Sequence, residues 1–95
     1  NDRMDGKFIQ AKECFEQNDL DHAIDMLSNI LIKDSSHIDA FLLRGLVYYR
    51  MQKWGEAIND FSSVIELSPN HSEAKLRLEM TENILGYFTP DMFNP

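Results

Sequence analysis

Three histidines, one cysteine and sixteen acidic residues are the groups in this 95-residue chain suited to ligate a metal or to act as base or nucleophile. Cys14 is the single thiol. A thiolate nucleophile needs a base at hand. No histidine stands near Cys14 in sequence, and whether the fold brings one close is left open. One cysteine argues against an internal disulfide and against a cysteine-based zinc site. In the place of a core aromatic, Cys14 reads as a buried, inert thiol. His37 and His71 lie 34 residues apart at equivalent points of a repeated pattern, too far to share an ion at bonds of about 2 Å. His22 belongs to a different helix. All three read as surface positions, with no metal and no cofactor expected. Asp19 with Asp21, and Glu79 with Glu82, are pairs only in sequence and read as solvated charges. There is no glycine-rich phosphate loop and no nucleophile elbow. Asn70-His71-Ser72 has the form of a glycosylation acceptor, but it also stands where a helix must be capped. No catalytic residues are assigned, and the chain is expected not to be an enzyme.

Composition supports that restraint. Hydrophobic residues make up 43% and charged residues 26%, as in a folded soluble domain. Nine basic residues against sixteen acidic give a net charge of −7, which disfavours nucleic acid and anionic membrane as partners. The apolar runs are too short for a membrane-spanning helix. No signal peptide is visible, and a cytoplasmic location is expected. Acidity is concentrated in residues 1–37, which carry eight acids and four bases, a hint that a charged partner would be basic.

The elements that must position these groups are helical. Ala23, Ile24, Leu27, Ile30 and Leu31 recur at three- and four-residue steps, and so do Ala57, Ile58, Phe61, Val64 and Ile65. The spacing predicts helices over 3–17, 20–33, 37–52, 55–67 and 71–86. Asn18 or Asp19 is expected to cap the second, a Ser36-x-x-Asp39 box the third, and Asn70-x-x-Glu73 to open the fifth. Gly86 is expected to end it. Shifting the chain on itself by 34 residues aligns Ala23 with Ala57, Ile24 with Ile58, Phe15 with Tyr49 and Leu27 with Phe61. Gly45 and Ala57 are small enough for two helices to approach closely. Arg44 and Asp60 are placed to pair across them.

Gly45-x2-Tyr48-x8-Ala57-x3-Phe61-x2-Val64-x4-Pro69 closely resembles the tetratricopeptide repeat, a 34-residue helix–turn–helix unit. Ala11, Cys14, Ala23, Leu27, Ile30 and Ser35 keep the same spacing with weaker chemistry. The resemblance implies an all-α solenoid of two helix–turn–helix repeats, at 4–37 and 38–71, and a capping helix at 72–88. Residues 1–3 would be a flank and 89–95 a tail. Glu79 and Glu82 stand where Gly45 and Tyr48 would, so no further helix is expected to pack there.

In that family the first helices of the units line a concave groove that binds an extended or helical peptide. The resemblance places Phe8, Lys12, Phe15, Leu42, Leu46, Tyr49, Arg50, Leu76 and Met80 there. The expected function is a non-catalytic protein-interaction module with an apolar groove, whose partner is apolar with some basic character. The alternative is a homodimer or assembly module using the same face, and the tail residues Tyr87, Phe88, Met92 and Phe93 could also fold back on it. Family members that hold chaperone tails use Lys, Asn and Arg on these helices to clamp carboxylates. At those positions this chain has Phe8, Lys12, Leu43, Glu73 and Arg77, so a chaperone carboxylate clamp is not expected. The ending Asn94-Pro95 suggests a small bacterial repeat protein.

Overall fold

The apolar periodicity is realised in a computed structural model that describes residues 2–88, with side chains described for 6–86. Five α-helices follow one another: α1 (Asp2–Glu16), α2 (Leu20–Lys33), α3 (Ile38–Arg50), α4 (Trp54–Leu67) and α5 (Ser72–Phe88). There is no strand among the described residues. The fold is an all-α solenoid of two antiparallel hairpins, α1–α2 and α3–α4, with α5 packed on α4.

The helices meet through small residues. Ala11, Ala23, Ala40, Ala57 and Ala74 are each fully buried at the crossings. Leu27, Ile30, Leu31, Leu43 and Val47 join α1, α2 and α3 in one core. Phe61 and Val64 continue it from α4, and Ala74 and Thr81 from α5. The Thr81 hydroxyl is satisfied within its helix, donating to the Arg77 carbonyl at 2.7 Å. At Gly45 a Cβ would lie 2.6 Å from Phe61 Cε1, which is why only glycine fits this α3–α4 crossing. The outer face of α5 carries exposed Glu79 and Glu82, as a capping helix should. Ile9 is 55% exposed, although Leu43, its counterpart one repeat on, is 7% exposed. Leu43 has α1 and α2 to pack against, whereas no described helix covers that side of α1.

Both hairpins turn in the same way. Asn18 and Gln52 adopt φ 62°. In the first turn Asn18 N–H donates to Phe15 O at 3.0 Å and Asp19 N–H to Cys14 O at 2.8 Å; in the second Gln52 donates to Tyr49 O and Lys53 to Tyr48 O. This is the Schellman arrangement, with the left-handed residue just past the helix end.

Four expected helix ends are corrected. Ser36 does not cap α3, because its N–H is turned back onto Asp34 Oδ1 at 3.1 Å. The cap is His37, whose Nδ1 accepts from Ala40 N–H at 3.0 Å. His71 does the same for α5 through Ala74 N–H at 3.1 Å, in place of Asn70. Asp19 does stand at the start of α2, but its side chain makes no capping bond. Gly86 does not end α5, which continues to Phe88. Its backbone stays out of the left-handed region that a glycine stop would use.

An imidazole nitrogen that accepts from a backbone N–H must be unprotonated, with the proton on the other ring nitrogen. His37→Ala removes that acceptor and is expected to lower stability by about 1 kcal/mol, the usual worth of a cap. Urea unfolding monitored by circular dichroism measures it.

Candidate functional site

Leu42, Leu46 and Tyr49 lie at i, i+4 and i+7 of α3 and therefore share one face. Phe8, Lys12 and Phe15 repeat that spacing on α1. Between these helices and α5 run two adjoining hollows that share Leu46. The first, about 300 Å³, is lined by Phe8, Lys12, Asp39, Leu42, Leu43 and Glu73. The second, about 490 Å³, is lined by Phe15, Tyr49, Arg50 and Trp54, with Gln52 and Arg77. Seven of the nine groove residues named from the sequence thus line one or the other of these two hollows.

Leu76 and Met80 do not line them. They are 58% and 37% exposed, and α5 instead turns Glu73 and Arg77 toward the hollows. The rotation of α5 follows from its burial of Ala74 and Thr81. Sequence reasoning named neither Trp54, Gln52 nor Asp39 for the groove. Trp54 is the first residue of α4, and its ring stands edge-on to Tyr49, with centroids 5.2 Å apart at 75°.

Aromatic contacts stiffen the walls. Phe8 packs against His37 at 5.5 Å between centroids. Arg50 is drawn back onto α1: its guanidinium lies 4.0 Å from the Phe15 ring centroid and donates to the Phe15 carbonyl at 3.2 Å. Arg77 Nε is buried without a hydrogen bond, and the nearest carboxylate oxygen, Glu73 Oε2, is 3.7 Å away. An ion pair at that distance leaves the donor unsatisfied. The positions that would form a carboxylate clamp are gathered here as Phe8, Lys12, Leu43 and Glu73, with Arg77 in the next hollow. Two of the five are apolar and one is an acid.

The frame behind the groove is held by ions. Arg44 of α3 donates to Asp60 of α4 twice, Nε to Oδ2 and Nη2 to Oδ1, both at 2.8 Å. Its Nη1 reaches Ser28 of α2 at 3.0 Å. One side chain therefore ties three helices together. Burial pushes the Asp60 carboxyl above its ordinary range, and the bonds from Arg44 only partly offset this. Arg44 is raised above its ordinary range, chiefly by the bonds to Asp60.

The structure also answers the question left open for Cys14. The α1–α2 turn brings His22 and Asp19 to it, and a donor atom of each lies within 4.8 Å of the others. None of these three residues lines either hollow.

Residues 38–71 match the family model described as tetratricopeptide repeat. The DnaJ protein P58IPK homolog B of Oryza sativa subsp. japonica is 30% identical over 82 residues, which are 86% of this chain and 17% of the rice protein. The crystal structure of MamA superposes with a TM-score of 0.84 at 23% identity, over 87% of this chain and 48% of that one. The second TPR of Spaghetti (RPAP3), bound to the HSP90 peptide SRMEEVD, superposes with a TM-score of 0.83 at 21% identity, over 90% of this chain and 80% of that one. These are helical-repeat folds of the same kind. The chain belongs to the tetratricopeptide repeat family, with α3 and α4 as its matched unit. It spans about one sixth of the length of the curated relatives it matches. Among the described residues no helix is long and apolar enough to cross a membrane.

Proposed function

We propose that the chain is a protein-interaction module whose concave face holds an extended or helical partner segment, apolar with at least one basic residue. The observation that carries this is the pair of hollows that share Leu46. Their walls include Phe8, Leu42, Phe15 and Tyr49, and the smaller one is also lined by two acids, Asp39 and Glu73, against one base, Lys12. Burying each apolar partner side chain there is worth about 1.5–3 kcal/mol. Asp39 and Glu73 favour a cation at that end and disfavour a terminal carboxylate. The relative solved with SRMEEVD binds a peptide rich in acids; here three of the five corresponding positions, Phe8, Leu43 and Glu73, supply no cation, and only Lys12 and Arg77 do.

Selection from a displayed peptide library tests the reading. The wild-type chain is expected to enrich apolar peptides carrying Lys or Arg. Leu46→Ser is expected to reduce retention of those peptides by at least about tenfold, one lost apolar contact of roughly 1.4 kcal/mol, with the helical circular-dichroism signal kept. Glu73→Lys should erase the preference for basic residues. Enrichment of peptides with acidic C-termini, or retention unchanged in Leu46→Ser, contradicts it. A stable dimer in light scattering that Leu46→Ser splits would assign the face to self-association instead.

A further inference from the structure

We propose that Cys14, Asp19 and His22 form a binding site for a divalent cation of the zinc class, closing the turn between α1 and α2. Cys14 Sγ, a carboxylate oxygen of Asp19 and a ring nitrogen of His22 all lie within 4.8 Å of one another. His22 Nδ1 is 3.3 Å from Asp19 Oδ2. Four-coordinate zinc with bonds of about 2.0–2.3 Å holds its ligand atoms roughly 3.3–3.8 Å apart. The three donors already stand near that spacing, and two of them are on the exposed side chains of Asp19 and His22.

The backbone places them in advance. Asn18, in the left-handed conformation, folds the chain back so that Asp19 N–H bonds the Cys14 carbonyl at 2.8 Å. His22 follows Asp19 by three residues in the first turn of α2, on the same face. The second hairpin is an internal control. It makes the same turn, with Gln52 at φ 62° and Lys53 N–H bonded to Tyr48 O at 2.9 Å. Its residues at the three equivalent positions are Tyr48, Lys53 and Glu56. The donor cluster is therefore not a by-product of how the repeat turns; the first unit departs from the second at all three places.

The donor set selects the ion. One thiolate, one imidazole and one carboxylate suit zinc, whereas calcium takes six to eight oxygens. In the metal-free chain the Cys14 thiol donates to Met26 Sδ at 3.8 Å, a weak contact that is given up when the thiol proton leaves. Asp19 and His22 are exposed and Cys14 is half-buried, so the ion enters from solvent and keeps water at its fourth position. On binding, the Cys14 thiol proton leaves to solvent as the sulfur–metal bond forms. The Asp19–His22 contact opens as both side chains turn to the ion.

The test uses the whole metal-free chain, reduced, titrated with Zn²⁺ against a competing chelator and with Co²⁺ as a spectroscopic probe. One ion per chain and a thiolate-to-cobalt charge-transfer band in the near ultraviolet are expected. Cys14→Ser should abolish the band. His22→Ala changes an exposed side chain and should leave the circular-dichroism spectrum intact. Each substitution should weaken zinc binding by at least about tenfold, the least that even loss of a supporting contact costs a metal site. Absence of the band, or zinc affinity unchanged in both variants, overturns the proposal and assigns any bound zinc to scattered surface carboxylates.

Discussion

Asp60→Ala is expected to lower the unfolding free energy by about 3 kcal/mol, at the lower end of what breaking a buried ion pair costs. The lower end applies because the Arg44 side chain is 21% exposed and regains some water when its partner goes. The loss is large because Arg44 remains behind. Its guanidinium forfeits two bonds of 2.8 Å and keeps only Ser28. Replacing both partners, Arg44→Met with Asp60→Ala, should recover much of the loss, with a coupling energy of about 1–3 kcal/mol in the double-mutant cycle. Strict additivity in urea unfolding would show that the pair does not hold α3 to α4. The same variants report on pH. The native Asp60 carboxyl is held above the ordinary value of 3.8, so the folded state keeps that proton longer than the unfolded one. Its contribution is therefore full below 3.8 and declines as pH rises through the raised folded value. Asp60→Asn should remove that decline.

Phe61→Ala is expected to cost about 3–5 kcal/mol as a cavity in the α3–α4 crossing. The Phe61 ring is fully buried and lies against the backbone at Gly45. A domain of this size has about 5–15 kcal/mol in all, so the variant should lose a large share of its stability. Gly45→Ala reads the same contact from the other side. The new methyl would sit 2.6 Å from Phe61 Cε1, an overpacking cost of about 1–3 kcal/mol that outweighs the gain of roughly 1 kcal/mol in helix propensity. In the Phe61→Ala background the methyl has room, and Gly45→Ala should turn from destabilising to stabilising. A Gly45→Ala penalty that is the same in both backgrounds would mean the ring and the glycine do not meet.

These contacts were legible in the sequence because they are local to the repeat. Small residues at Gly45 and Ala57 dictate a close crossing, and 3.6-residue periodicity places Arg44 opposite Asp60. Helix limits agree with the spacing to within two residues. What the sequence hid depends on how side chains turn at the ends of elements. His37 and His71 looked inert, yet each occupies a cap through a ring nitrogen that serves as well as a hydroxyl. Ser28 gave no sign of reaching Arg44, since the bond needs α2 and α3 docked at one angle. Cys14 and His22 are neighbours only once Asn18 takes a left-handed backbone. That Leu42, Leu46 and Tyr49 share one face of α3 was legible from i, i+4, i+7 spacing. The groove face of α5 was not: its rotation is set by how Ala74 and Thr81 are buried, which brings Glu73 and Arg77 rather than Leu76 and Met80 to the hollows.

The most direct test of the interaction reading is a map of amide and methyl chemical shifts of the labelled chain as a library-selected apolar, basic peptide is added. The account predicts shifts along Phe8, Lys12, Leu42, Leu46 and Tyr49, extending to Glu73 and Arg77. It predicts little change at Asp25, Asn29, Asn59 and Ser63, exposed or half-buried positions on the second helices α2 and α4. Shifts concentrated on α2 and α4, with the groove of α1 and α3 undisturbed, would contradict it.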